Sequence, residues 1–296
     1  MKTSVIIPTF AHKNYILETI ASVLKQACSV EIIVIDDGST DGTAKTLQPL
    51  VDSKHIHYYR QANSGVALAR NRGLSLATCP YVLFLDDDDL LPDGKLLWQE
   101  EYLETHPECN AVAGNLSVLD NVKSTPHMCA DKQLRPLDFF SGNPVASPGQ
   151  VLIRKAAVES IRGFNPKIWG ADDLDLWIRL ATHTPMHLVN KPGLIYRVHA
   201  NNASENIPKM IQNIKTTLEA YTETRPIKEH KNLNHIMHMH LANYAYYQSI
   251  STFKSKSLTI SKFCSVVLLW CKYAKFGNIT NILSDSCKKA KKICTA

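Results

Sequence analysis

Residues Tyr81–Asp93 read YVLFLDDDDLLPD, five apolar residues from Tyr81 to Leu85 running straight into four aspartates, Asp86 to Asp89. A run of that length fits a strand buried on both faces, and such strands belong to parallel sheets covered by helices. The aspartates then fall at the strand's carboxyl end, where open α/β sheets bind their ligands. Four neighbouring carboxylates repel one another, and without a counter-charge at least one keeps its proton. A hard divalent cation removes that penalty, because Mg2+ or Mn2+ takes oxygen ligands and bridges carboxylate to phosphate. Taken alone, the run would equally suit a solvated acidic turn capping the helix after Pro92. A second acidic strand end in the same chain decides for a metal site that serves a phosphorylated ligand.

That second end is VEIIVIDDGSTDGT, Val30 to Thr43. A buried strand over Glu31–Ile35 leads into Asp36, Asp37 and a turn whose Asp41 or Thr43 can cap the next helix. Upstream, SVIIPTF (Ser4–Phe10) reads as a first strand stopped by Pro8. From Lys13 to Gln26 the residues Ile16, Leu17, Ile20, Val23 and Leu24 keep helical spacing. His55 to Tyr59 is a third strand, and QANSGVALARNRGLSLA (Gln61–Ala77) is a Gly-bearing turn that becomes a helix. Strand, helix, strand, acidic turn, helix makes an α/β fold, and right-handed crossovers make its sheet parallel. One Asp after such a strand accepts hydrogen bonds from a ribose or base in dinucleotide folds. A plain capping turn would look the same; beside Asp86–Asp89 it reads as a nucleotide contact.

Downstream, Asn110 to Leu119 is a further strand, and Ser141 to Gln150 is a Gly/Pro-rich loop suited to shaping substrate access. Val151 to Ile153, with Arg154 and Lys155, leads to a short helix and the turn at Arg162-Gly163-Phe164. WGADDLDLWIRLA (Trp169–Ala181) places Asp172 and Asp173 at a helix start, where the dipole stabilises carboxylates. N-terminal capping explains both; a general base would explain one. Leu194 to His199 is a last strand-like run.

At 296 residues the chain has room for one large domain, or one domain and an appendage. With 45% apolar and 20% charged residues it has the composition of a soluble globular protein, not a disordered one. Eight cysteines are scattered with no CxxC pair, which speaks for reduced thiols in a cytosolic setting and against a zinc site or disulfide framework. Thr3 to Ile7 leads into Pro8 as part of a folded domain, so no signal peptide is expected. No run approaches the ~20 apolar residues of a membrane span. The net charge of +6 is unevenly spread. Residues 1–204 hold 19 basic against 22 acidic side chains, residues 205–296 hold 14 against 5. The basic excess belongs to the tail, so nothing marks a nucleic-acid partner.

Taken in order, SVIIPTF, VIDDGSTDGT, QANSGVALARNRG, FLDDDDLLPD, GADDLDLWIRL and YRVHANNAS resemble a family 2 glycosyltransferase of the bacterial surface-polysaccharide type. The resemblance covers roughly residues 3–204. It implies a GT-A fold, a Rossmann-like and mostly parallel sheet flanked by helices, with residues 205–296 left as a basic, mainly helical C-terminal region. It also implies roles. Thr9 sits where the family's first loop meets the nucleotide base, Asp37 where a carboxylate binds the base, and Arg70 near the nucleotide and its phosphates. Asp86 and Asp88 match the two acids of the DxD element, Asp86 toward ribose or a bound water and Asp88 on the metal. Asp87 or Asp89 can take a neighbour's role, and Asp87 joins the donor-binding set. Asp173 matches the usual catalytic base, with Asp172 as a possible second acid where Glu is common. His199 matches a histidine that approaches the diphosphate or metal. Phe10-Ala11 departs from a more usual Tyr-Asn in the first loop.

The implied partners are a nucleoside diphosphate sugar, UDP first, and a saccharide or lipid-linked saccharide acceptor, with Mn2+ or Mg2+ as cofactor. Glycosyl transfer needs a stabilised leaving group, an oriented anomeric carbon and a base for the acceptor hydroxyl. A metal neutralises charge growing on the diphosphate, and Asp173 would take the acceptor proton, an effect of ~10²–10⁴-fold. One base and one displacement imply inversion. Three rivals are weaker. A haloacid-dehalogenase-like phosphatase would need its nucleophile at the position held by Ile35. A sugar-nucleotide pyrophosphorylase would open with a Gly-rich basic loop, which SVIIPTF is not. A non-catalytic sugar-nucleotide-binding protein would have no use for Asp88, Asp173 and His199 together.

Two further stretches carry expectations. His235, His238 and His240 read as part of a packed helical hairpin, not a metal site. Leu258 to Tyr273 is apolar over one helical face and flanked by lysines, which suits an interfacial helix on anionic lipid at the cytoplasmic face of a membrane. The same pattern suits a helix packed on the catalytic domain.

Overall fold

β1 (Thr3–Thr9) and β2 (Val30–Asp36) are filled by Val5, Ile6, Ile7 and Ile32 to Ile35, none more than 1% exposed. β-Branched side chains buried on both faces are what a central parallel strand calls for. The computed structural model describes residues 1–120, 123–127, 129–199 and 207–254. The expected interfacial run at Leu258–Tyr273 lies outside the described residues. The chain divides into two compact units, Met1–Phe139 with Asn143–Asn202, and Phe140–Gly142 with Ala203–Ala296.

In the first unit β3 (His57–Arg60), β2, β1 and β4 (Tyr81–Phe84) lie side by side and parallel. β8 (Val151–Arg154) runs antiparallel to β4 and to β5 (Ala111–Asp120). β9 (Met186–Arg197) lies parallel to β5, β7 (Lys132–Leu134) pairs with β9, and β6 (Lys123–His127) pairs with β5. The sheet is thus parallel in its first four strands and mixed beyond them. α1 (Ile16–Leu24) buries Ile16, Ile20 and Val23, one face of a 3.6-residue period. α3 (Val66–Leu76) lies so close to the sheet that a Cβ on Gly73 would sit 2.3 Å from Ile6 Cγ2.

Three expectations need correction. β1 does not stop at Pro8 but runs on to Thr9. Leu85 N donates to Ile6 O and Asp37 N to Thr9 O, so even positions of β1 face β4 and odd ones face β2. The rung that Pro8 cannot donate therefore falls where β4 ends, and its loss costs little. Neither Asp41 nor Thr43 takes the N-cap position of α2 (Thr43–Asp52); Gly42 does, at φ 95°, while Asp41 accepts from the Thr43 amide and hydroxyl. β9 begins at Met186, well before Leu194. Asn190-Lys191-Pro192-Gly193 breaks the strand pattern in sequence, yet β9 bulges there, opposite Asn115 of β5, and the pairing resumes beyond it. Gly114 and Gly193 meet there so closely that a Cβ on either would lie 2.6 Å from the other's backbone.

In the second unit α8 (Ile207–Glu223) and α9 (Ile227–Lys254) pack on each other. Ile211, Ile214 and Leu218 of α8 and Leu233, Met237 and Leu241 of α9 are buried at helical spacing. His235, His238 and His240 lie on α9 and, among the described residues, form no cluster of converging ligand atoms. No helix among the described residues is long and apolar enough to cross a membrane.

Candidate active site

The carboxyl end of β4 turns sharply into Asp86–Asp89, and α4 (Lys95–Thr105) follows. Asp86 Oδ1 accepts from Arg70 Nη2 at 2.6 Å. The same guanidinium donates through Nη1 to Asp172 Oδ2 at 2.5 Å. Arg70 therefore ties the aspartate run of β4 to the first residue of α7 (Asp172–His183). It is buried, its Cζ lies 5.0 Å from the centre of the Phe164 ring, and its Nε has no partner. Burial works against its charge, but Asp86 and Asp172 outweigh that and hold its pKa up.

Asp172 is buried, and burial raises its pKa while Arg70 opposes the rise. Asp173 accepts from the Leu174 amide at 2.7 Å. Part of its surface reaches solvent, yet protein packs densely around the carboxyl. Burial first, and then the charge of Asp172, push its pKa up to about 7. A carboxylate so poised takes up and releases a proton near neutrality, as a general base must.

β9 passes over the aspartate turn, with Leu90 and Ile195 exchanging backbone hydrogen bonds. Arg197 then donates its amide to Asp89 Oδ1 and its Nε to the Asp88 carbonyl. Ser147, from the loop before β8, donates to Asp89 Oδ2 at 3.3 Å. Two residues further, His199 Nε2 hydrogen-bonds Asp88 Oδ2 at 2.8 Å. Tyr15 stacks on the His199 ring at 4.8 Å, and Arg197 lies over Tyr15 at 5.1 Å. Burial, then Asp86 and Asp87, push Asp88 up to about 6 against the pull of His199. Burial and the same crowding hold Asp89 well above the carboxylate range.

Asp87 is met from the loop after β1. Its Oδ1 hydrogen-bonds His12 Nδ1 at 2.8 Å, and its Oδ2 is buried with no partner. Ligand atoms of His12, Asp87 and Asp88 all lie within 4.8 Å of one another. An unpartnered carboxylate oxygen beside a second carboxylate and an imidazole is a donor set that fits Mn2+ or Mg2+. The Asp87 hydrogen bond raises the His12 pKa, and burial opposes it.

The remaining expected residues lie at the neighbouring strand ends. Thr9 ends β1, and its hydroxyl is buried without a partner. Asp37 follows β2 and is joined to Thr9 through the backbone. Its carboxylate accepts from Gln61 Nε2, the Ser64 amide and hydroxyl, and the Gly65 amide. Four donors fill the capacity of one carboxylate, so a nucleotide base reaches Asp37 only by displacing one of them. The structure thus joins Arg70, Asp86 and Asp172 directly, sets Asp173 beside Asp172, pairs Asp88 with His199, and leaves Thr9 and Asp37 as a separate pair. Sequence reasoning missed His12, Tyr15, Arg197 and Ser147. For His12 the one local signal was the departure at Phe10-Ala11, where Ala11 adopts a left-handed φ of 58°.

Comparison with known proteins identifies the family and the fold. Residues 4–162 match the family model described as glycosyl transferase family 2. A Bacillus subtilis glycosyltransferase named for teichuronic acid biosynthesis, TuaG, is 43% identical over 69% of this chain and 81% of its own length. An uncharacterized glycosyltransferase of Rickettsia felis is 31% identical over 64% of this chain but only 32% of its own. The chain thus spans about a third of the length of such longer relatives. The crystal structure of Staphylococcus aureus TarS residues 1–349 with UDP-GlcNAc superposes with a TM-score of 0.68 at 18% identity, over 93% of this chain and 80% of that one. A Pyrobaculum calidifontis mannosyltransferase in complex with GDP-Man and Mn2+ gives 0.61 at 18% identity, over 98% and 86%. At that identity the likeness establishes the fold, which is GT-A.

Proposed function

The chain belongs to glycosyl transferase family 2, and we propose that it transfers a sugar from a nucleoside diphosphate donor, UDP first, to a hydroxyl of a saccharide or lipid-linked acceptor. The transfer inverts the anomeric centre and serves cell-surface polysaccharide synthesis. One observation carries this reading: Arg70 bridges Asp86 and Asp172, so the donor end of β4 and the base-bearing start of α7 form a single buried charge system.

Each part then has work to do. Thr9 offers a free hydroxyl to the nucleotide at the end of β1. Asp37 braces the Gln61–Gly65 loop beneath it and contacts the base only through that loop's rearrangement. Asp86, fixed by Arg70, turns its remaining oxygen toward the ribose. Asp88, with Asp87 and a histidine, would hold Mn2+ or Mg2+, which neutralises charge growing on the diphosphate as the C1–O bond breaks. His199, stacked on Tyr15, presents imidazole to the same side. Asp173 takes the proton of the acceptor hydroxyl. Asp172, paired with Arg70, adds its charge to the burial that raises the proton affinity of Asp173.

TuaG is named for a cell-wall polymer, which supports a polysaccharide product here. Residues 1–204 carry the catalysis in this reading, and the apolar, lysine-flanked stretch Leu258–Tyr273 of the basic C-terminal region holds the protein peripherally on anionic lipid at the cytoplasmic face. Co-sedimentation with anionic vesicles at low and high salt, with and without residues 255–296, checks that last part. The catalytic part is tested by isotope transfer from labelled UDP-, GDP- and dTDP-sugars. Transfer by the wild type and its loss in Asp173→Asn is expected. Tight donor binding with neither transfer nor hydrolysis would make the protein a sugar-nucleotide binder instead.

A further inference from the structure

We propose that His12 is a metal ligand, joining Asp87 and Asp88, and that its imidazole makes the site select Mn2+ over Mg2+. The inference rests on the proposed metal-assisted reading and adds to it a ligand from the loop that follows β1. Two observations carry it. The ligand atoms of His12, Asp87 and Asp88 converge within 4.8 Å. Asp87, only 6% exposed, keeps its Oδ2 buried with no hydrogen-bond partner. An unpaired buried carboxylate oxygen is costly, and a cation is the partner that also relieves its three acidic neighbours.

The backbone prepares this arrangement. Ala11 adopts φ 58° and donates its amide to Ser39 Oγ at 2.9 Å, so the chain bends back and sets His12 over Asp87. Thr19 Oγ1 holds the Asp87 carbonyl at 3.0 Å from the other side. His12 Nδ1 and Asp87 Oδ1 stand 2.8 Å apart. Adjacent ligands on an octahedral ion with bonds of about 2.1 Å stand about 3 Å apart, so the pair needs little movement to exchange its proton for a metal. His12 and His199 lie edge to face with 5.7 Å between centroids, but His12 bonds Asp87 and His199 bonds Asp88, so each imidazole can be replaced without removing the other's partner. Mg2+ takes oxygen donors and gives up its water reluctantly. Mn2+, although it also favours oxygen, begins the first-row series along which affinity for nitrogen ligands rises, so one imidazole among carboxylates costs Mn2+ less than Mg2+.

Mn2+ itself is the probe. Pulsed electron paramagnetic resonance of Mn2+ bound to the full chain, with natural-abundance and 15N-histidine protein, reads directly coordinated imidazole nitrogen. The wild type and His199→Gln are expected to show the nitrogen coupling and His12→Gln to lose it. Calorimetry should show Mn2+ affinity falling about 10- to 100-fold in His12→Gln, with Mg2+ affinity near the wild-type value. A coupling that persists in His12→Gln and vanishes in His199→Gln gives the ligand role to His199 and overturns the inference. Mn2+ bound to the wild type without any nitrogen coupling makes the site all-oxygen and overturns it too, leaving the metal reading intact. A wild type that binds no Mn2+, with or without UDP, overturns both. Should His12→Gln fail to fold, a nitrogen coupling in the wild type that is lost in His199→Gln still refutes the inference, and one that survives there supports it.

Discussion

β2 and β4 flank the same central strand, and each ends in consecutive aspartates, yet the two ends are finished in opposite ways. After β2, Asp36 accepts from the Ser39 amide and the Tyr58 hydroxyl, and Asp37 accepts from four donors of the Gln61–Gly65 loop. The protein itself satisfies that end. After β4, Asp87 keeps a buried oxygen without a partner, Asp88 is pushed up to about 6, and burial and its neighbours hold Asp89 well above the usual carboxylate range. That end is left short of positive charge. The same pattern of apolar strand and double acid is a structural clamp in one place and, in the proposed reading, a cation hole in the other. Segments fold back on both ends; what separates them is that the donors reach every carboxylate oxygen of Asp36 and Asp37, whereas those after β4 leave Asp87 Oδ2 buried without a partner.

The contrast is sharpened most by the third acidic group. Asp173→Asn keeps the oxygen that accepts from Leu174, so donor binding should hold while turnover falls by about two to four orders of magnitude. In the wild type kcat/KM should decline as pH falls below about 7, because the raised pKa puts Asp173 in its protonated, non-basic form there. Steady-state rates between pH 5.5 and 8.5, on a non-titrating donor analogue series, read both effects. An acid limb unchanged in Asp173→Asn would return the residue to a capping role.

The next comparison sets the two ends against each other in metal-free protein. Asp37→Asn should cost about 1–3 kcal/mol in urea denaturation, because its amide group faces backbone donors that lose their acceptor. Asp87→Asn should leave stability unchanged or raise it, since it removes one of four crowded charges. Equal losses at both positions would erase the distinction. A smaller effect is expected at Ala11. Replacing it by Gly relieves a left-handed residue and should raise the unfolding free energy by up to ~1 kcal/mol, net of the added chain entropy.

Much of this was legible in the sequence, for physical reasons that can be named. Ile32 to Ile35 and Tyr81 to Phe84 are apolar runs with acids at their ends, and both became buried parallel strands with the acids at their carboxyl ends. The start of α7 was legible because Asp172 and Asp173 precede the core positions Leu176, Trp177 and Leu180. What was not legible depends on distant contacts. Nothing local in IDDGST and FLDDDD tells which acids will be satisfied; that is decided by Gln61, Ser64 and Gly65 in one case and by His12 and His199 in the other. His12 meets Asp87 across 75 residues of sequence, through a left-handed alanine that residue type alone does not announce. β9 escaped because Lys191-Pro192-Gly193 reads as a break, and only the glycine contact with β5 explains why pairing continues.

The account stands most directly on one titration: UDP binding measured by calorimetry, with and without Mn2+, in the wild type, Asp88→Asn and Asp37→Asn. The cation hole after β4 predicts that Mn2+ tightens UDP binding by roughly tenfold or more in the wild type and in folded Asp37→Asn, and that Asp88→Asn loses the enhancement. An Asp88→Asn protein whose UDP affinity rises with Mn2+ as much as that of the wild type would contradict it.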